Sequence, residues 1–180
     1  KEPPAWLTVF NQTKFSDQYA GKTWTRLRRD TEIRGDGEIH RDADFRSDAK
    51  IYETYARQDA FEGENFGERN TFPHRLRSKP PDRTFYADLF DSGFSDEVLL
   101  QAVLAAIGGH RLGADERTDL LAVSFAGVDR VGHVYGPFSQ ETLDTVLRLD
   151  EVLESFLGEL DRRIGLDRVV IGLTADHGVL

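Results

Sequence analysis

Two Asp–His pairs are the residues in this sequence whose types and spacing could do chemistry. Asp129 and His133 stand four apart in LLAVSFAGVDRVGHVYGP, and Asp176 and His177 are adjacent in VVIGLTADHGVL. A carboxylate and an imidazole are oxygen and nitrogen donors for a divalent cation, at about 2.0–2.2 Å when the ion is zinc. The chain has no Cys, which excludes both a thiolate zinc site and a disulfide framework. On one turn of helix the i, i+4 spacing would put Asp129 and His133 on the same face. Asp176 and His177 fall at a strand end, where successive side chains point to opposite faces, so the backbone must bend for both to reach one ion. Gly178 permits that bend. Each pair alone is weak evidence. Together they read as half of a two-metal site.

The elements that must position them are legible on either side. Leu120–Phe125 and Val169–Leu173 are apolar, β-branched runs of the kind that parallel strands buried on both faces need. Between them, Ser139 or Gln140 to Arg163 reads as one long helix. Its Leu143, Val146, Leu147, Val152 or Leu153, Phe156, Leu157 and Leu160 recur at helical spacing as a core stripe. Asp150 lies mid-helix, equally consistent with burial or exposure. Strand, crossover helix and strand imply an α/β fold, with a largely parallel sheet flanked by helices and incomplete in this segment. Ligand sites in such sheets lie beyond the carboxyl ends of the strands, where both Asp–His pairs fall. Gly127, Gly132, Gly136 and Pro137 predict a tight loop around Asp129 whose backbone can approach a ligand closely.

The rest divides into three stretches. Residues 83–180 form the α/β core with the metal-site motifs, including a helix capped by Ser95, carrying the stripe Val98, Leu99, Ala102, Val103, Ala106 and Ile107, and stopped by Gly108-Gly109. His110 follows that end, where an imidazolium would suit the helix dipole. Residues 1–28 are an N-terminal helical segment of the same domain, with a short helix over Ser16 to Arg28 that Gly21 weakens. Residues 29–82 lack a sustained period and read as a surface insertion or cap, with a hairpin turning at Gly35-Asp36-Gly37. His40 and His74, in polar company, read as simple surface or loop residues.

At 180 residues with a formal net charge of −9, the chain could fill one domain with a sizeable core. The charge is uneven: residues 1–80 carry 15 Lys/Arg against 14 Asp/Glu, and residues 81–180 carry 8 against 18. An acidic second half argues against binding a nucleic-acid backbone, which needs clustered Lys and Arg. No apolar run approaches the roughly 18 residues of a membrane helix. Lys1 is not a Met, and the chain stops just after the second Asp–His pair, so it reads as a segment of a longer protein.

SFAGVDRVGHVYGPFSQE followed by LTADHG resembles the alkaline phosphatase superfamily, in its branch with type I phosphodiesterases and nucleotide pyrophosphatases. KEPPAWLTVFN, FPHRL, FSDEVLLQAVLAAI and LGADERTDLLAVSF are similar in order and spacing to the PafA-type bacterial alkaline phosphatases. The resemblance implies that Asp129 and His133 bind one Zn²⁺ and that Asp176 and His177 bind the other. It implies hydrolysis of small phosphate monoesters through a covalent phospho-enzyme, in a periplasmic or secreted protein. The family's Thr or Ser nucleophile, the Asp ligand beside it and a last His ligand match nothing here. They are expected outside this segment, which by itself is expected to be inactive. Two other readings stand: a phosphodiesterase with the same metals, and a non-catalytic metal-binding module. Phe125-Ala126-Gly127-Val128 stands before Asp129, where the phosphodiesterase group has an acidic-Pro-Asp approach, and that favours the monoesterase.

Overall fold

The computed structural model describes residues 2–27 and 72–178. The Gly35-Asp36-Gly37 hairpin and His40 lie outside them. Five α-helices build the described part: α1 Ala5–Gln12, α2 Arg83–Phe90, α3 Ser95–His110, α4 Gly127–Tyr135 and α5 Gln140–Arg163. Two short strands, β1 Thr23–Trp24 and β2 His74–Arg75, pair antiparallel with Thr23 opposite Arg75. Helix α3 packs between α1 and α5, and α4 packs along the first turns of α5.

Several boundaries differ from expectation. The N-terminal helix is Ala5–Gln12, and Ser16–Tyr19 belongs to a single 3-10 turn over Phe15–Tyr19. Gly21, at φ 77°, ends that turn and lets the chain double back into β1. Helix α3 begins with Ser95 already helical and runs through both glycines to His110, closing on Arg111 in the left-handed conformation. Gly109 is there for close approach: a Cβ would sit 2.2 Å from the Trp6 Cβ of α1. His110 is held by the same packing, since Trp6 Nε1 donates to its Nε2 at 2.7 Å. Helix α2, capped by the Asp82 carboxylate on the Thr84 N–H, was not anticipated.

Two cores result. Tyr19, Trp24, Leu76, Phe85, Leu89, Phe94, Val131 and Tyr135 bury together beneath α4. Val103, Ile107 and Leu160 join α3 to α5. Helix α5 starts as expected, with the Ser139 hydroxyl accepting the Thr142 N–H. Its early turns, however, bury a polar face. Gln140, Glu141, Thr142, Asp144 and Thr145 are all buried, whereas Val146 is 45 % exposed and Asp150 is exposed.

That polar face clamps the rest of the chain. Asp144 accepts from Trp24 Nε1 at 2.7 Å, the Leu27 N–H at 2.6 Å and Arg148 Nε at 2.7 Å. Arg148 reaches on to the Thr25 carbonyl and Glu97. His74 is buried, contrary to its reading as a surface residue. It sits among Trp24, Phe72 and Tyr135 and meets Glu141 Oε1 at 2.7 Å.

The runs expected to be parallel strands are not seen as a sheet. Residues 120–126 and 170–175 make no backbone ladder among the described residues. Val123 and Val169 lean on the α3–α5 core, but Leu120, Val170 and Leu173 are 92 %, 100 % and 83 % exposed. In the first run most residues other than Val123 and Phe125 are exposed, and in the second every residue from Val170 to Leu173 is exposed. Much of the apolar surface of both runs is therefore open.

Candidate metal centre

Helix α4 presents Asp129 and His133 on its exposed face because its opposite face is anchored. Val131 and Tyr135 are buried in the core. Arg130 pairs with Asp91 and stacks 4.6 Å over the Phe90 ring at the end of α2. The glycine-rich stretch expected as a loop is therefore mostly helix, and the conditional one turn over 129–133 becomes nine residues. Gly136, at φ 91°, ends it and turns the chain into α5.

His133 Nε2 lies 3.3 Å from Asp129 Oδ1. From the far end of α5, His177 Nε2 comes within 3.8 Å of the same oxygen and within 3.7 Å of Asp176 Oδ2. The backbone bends at Asp176, which is the distortion that adjacent donors at a strand end require. So the fold gathers all four sequence-selected donors in one exposed patch. Among the described residues, no three His or acidic side chains meet as a ready coordination shell.

The donor chemistry nonetheless suits a metal. His177 Nδ1 donates to the Gly178 carbonyl at 3.0 Å, which leaves Nε2 facing the carboxylates. A metal-binding imidazole commonly has its second nitrogen fixed to a carbonyl in this way. That hydrogen bond, followed by the charges of Asp176 and Asp129, raises the His177 pKa above the ordinary histidine value.

Sequence reading missed one residue behind this patch. Asp96, on α3, is 4 % exposed, and its Oδ1 accepts the Gly127 N–H at the start of α4 at 3.2 Å. Burial pushes its carboxyl up to about 6 against the partial relief of that hydrogen bond. A carboxyl whose folded pKa is raised contributes stability below its unfolded value and loses it as pH rises through the folded one. Urea unfolding should therefore show the wild type losing roughly 2 kcal/mol relative to Asp96→Asn between pH 4 and pH 7. A difference that is flat with pH would contradict an ionising buried Asp96. In the sequence Asp96 stands beside Glu97 in the first turn of α3, where acids ordinarily suit the positive end of their own helix, and nothing there signals a contact with α4.

A model of the type I phosphodiesterase / nucleotide pyrophosphatase family matches residues 1–180. The chain belongs to that family, within the alkaline phosphatase superfamily. It is 33 % identical over 178 residues to alkaline phosphatase PhoV of Synechococcus elongatus, covering 97 % of this chain and 28 % of PhoV. It is 30 % identical over 178 residues to alkaline phosphatase PafA of Elizabethkingia meningoseptica, covering 99 % and 29 %. A protein of Myroides odoratus named calcium-transporting ATPase is 32 % identical over 181 residues, covering 99 % and 30 %. The crystal structure of wild-type PafA superposes with a TM-score of 0.66 at 27 % identity, over 92 % of this chain and 28 % of that one. The chain thus spans under a third of the length of these relatives. Its described part shares the PafA fold.

Proposed function

We propose that the complete protein hydrolyses phosphate monoesters through a covalent phospho-enzyme whose nucleophile lies outside residues 1–180. Asp129 and His133 would hold one zinc ion, and Asp176 and His177 a second. Bound there, the ions would supply Lewis acidity at the attacked and departing oxygens. The observation that carries this reading is the approach of His133 and His177 to one oxygen of Asp129, although all of α5 separates them in sequence. The alkaline phosphatase names of PhoV and PafA favour a monoester substrate.

The chain's own contribution is positional. Helix α4 holds two donors facing outward, and the bend at Asp176 turns two more towards them. The open apolar faces of residues 120–125 and 169–173 support a largely parallel sheet completed by further chain. Burying Leu120, Val170 and Leu173 would contribute roughly 1.5–3 kcal/mol for each side chain. The acidic balance of residues 81–180 argues against a nucleic-acid backbone as substrate, and the reading is of small phosphorylated substrates, in a periplasmic or secreted protein.

The zinc-loaded full-length protein should show a large preference in kcat/KM for p-nitrophenyl phosphate over bis-p-nitrophenyl phosphate. A diester preference would move it to the phosphodiesterase side of the family with the four metal assignments unchanged. No turnover of either would leave a non-catalytic metal-binding module as the better reading.

A further inference from the structure

We propose that Asp96 is a positioning residue for the metal centre: its carboxylate caps, from a neighbouring helix, the start of the helix that carries Asp129 and His133. The inference rests on the reading of Asp129 and His133 as metal ligands.

Helix α4 has no cap of its own. Ala126 occupies the position before it and offers no side-chain acceptor. The first N–H groups of a helix lack intrahelical partners, and an uncapped, buried start is costly. Asp96 supplies the missing acceptor to Gly127 from α3. Its negative charge also faces the positive end of the α4 dipole.

The fit is close enough to constrain the partner residue. A Cβ on Gly127 would sit 2.5 Å from Asp96 Oδ2 and 2.9 Å from Ser95 Oγ. Both of those atoms are buried without a hydrogen-bond partner. A buried carboxylate with a half-satisfied head is costly where an apolar side chain would pack freely. Its one made hydrogen bond goes to the helix that bears the ligands.

The two ends of α4 are held by different means. Val131 and Tyr135 fix the C-terminal half by burial. Asp96 fixes the first turn, from which Asp129 projects two residues later. Without that acceptor the first turn can fray while the rest of the helix stays in place, and the Asp129–His133 spacing would be lost.

The test uses the full-length protein with two readouts: zinc affinity by competition with a chromophoric chelator, and amide hydrogen exchange over residues 127–131. Asp96→Ala should weaken zinc binding by about 10- to 100-fold, the range for removing a group that orients a ligand. It should also speed exchange at the start of α4 about 10-fold. Asp96→Asn keeps an acceptor oxygen and should recover most of both. Gly127→Ala should lose both through the clash, and it serves as the second variant if Asp96→Ala does not fold. Unchanged zinc affinity in Asp96→Ala, beside a loss in Asp129→Ala, overturns the positioning role. Equal losses in Asp96→Ala and Asp96→Asn overturn the hydrogen bond as its cause. If Asp129→Ala itself leaves zinc affinity unchanged, the ligand reading has failed, and the exchange data still decide whether Asp96 caps α4.

Discussion

Replacing Asp129 with alanine should reduce kcat/KM of the zinc-loaded full-length protein for a phosphate monoester by about 10²- to 10⁴-fold. The range follows from a metal ion's contribution of several kcal/mol to the transition state and from tenfold per 1.36 kcal/mol. Asp129 is the hub of the patch: among the described residues it is the carboxylate that both His133 and His177 approach. Its side chain is 43 % exposed and belongs to neither core, so the fold should survive. Melting temperature and far-UV circular dichroism should stay close to wild type while bound zinc, measured by elemental analysis, falls. His133→Ala should behave similarly. Near-normal turnover in an Asp129→Ala protein with its full zinc content would sink the assignment.

The second large effect is on stability. Asp144→Ala should destabilise the protein by about 3–5 kcal/mol, the cost of breaking a buried charged network by removing one partner. Asp144 is fully buried and takes hydrogen bonds from the Trp24 indole, the Leu27 backbone and the Arg148 guanidinium. Truncation leaves the fully buried Trp24 indole N–H and the half-buried Leu27 N–H without this acceptor, and an unmade buried hydrogen bond costs more than a made one contributes. Native domains are stable by only about 5–15 kcal/mol, so the loss should show as a large fall in urea midpoint. Asp144→Asn, which keeps one acceptor but turns an amide N–H towards a donor, should fall between wild type and alanine. A cost below about 1 kcal/mol for alanine would mean that the network rearranges around the gap.

The site pairs were readable because metal donors are few in kind and their spacing is local. An Asp and a His four apart on a helix share a face whatever packs behind it. Adjacent donors at a strand end demand a bend, and Asp176 has one. The polar face of α5 was less visible, though its signal was present. Glu141, Asp144 or Thr145, and Arg148 recur with the same period as the apolar stripe, so one helix carries two buried faces. Periodicity of hydrophobic residues reports only one of them.

The long helix α5 with its Ser139 cap, the helical stretch from Ser95 and the pairing of Asp129 with His133 are local consequences of spacing and capping. The burial of His74 against Glu141, the bonds of Asp144 to Trp24 and Leu27, and the bond from Asp96 to the start of α4 come from packing between distant elements. Each joins residues far apart in the chain. A polar side chain is driven inward only when a partner waits there, and that partner is set by how the helices cross. The same reason governs residues 120–125 and 169–173. Their apolar pattern specifies what they can bury, but a strand exists only where another backbone supplies its hydrogen bonds.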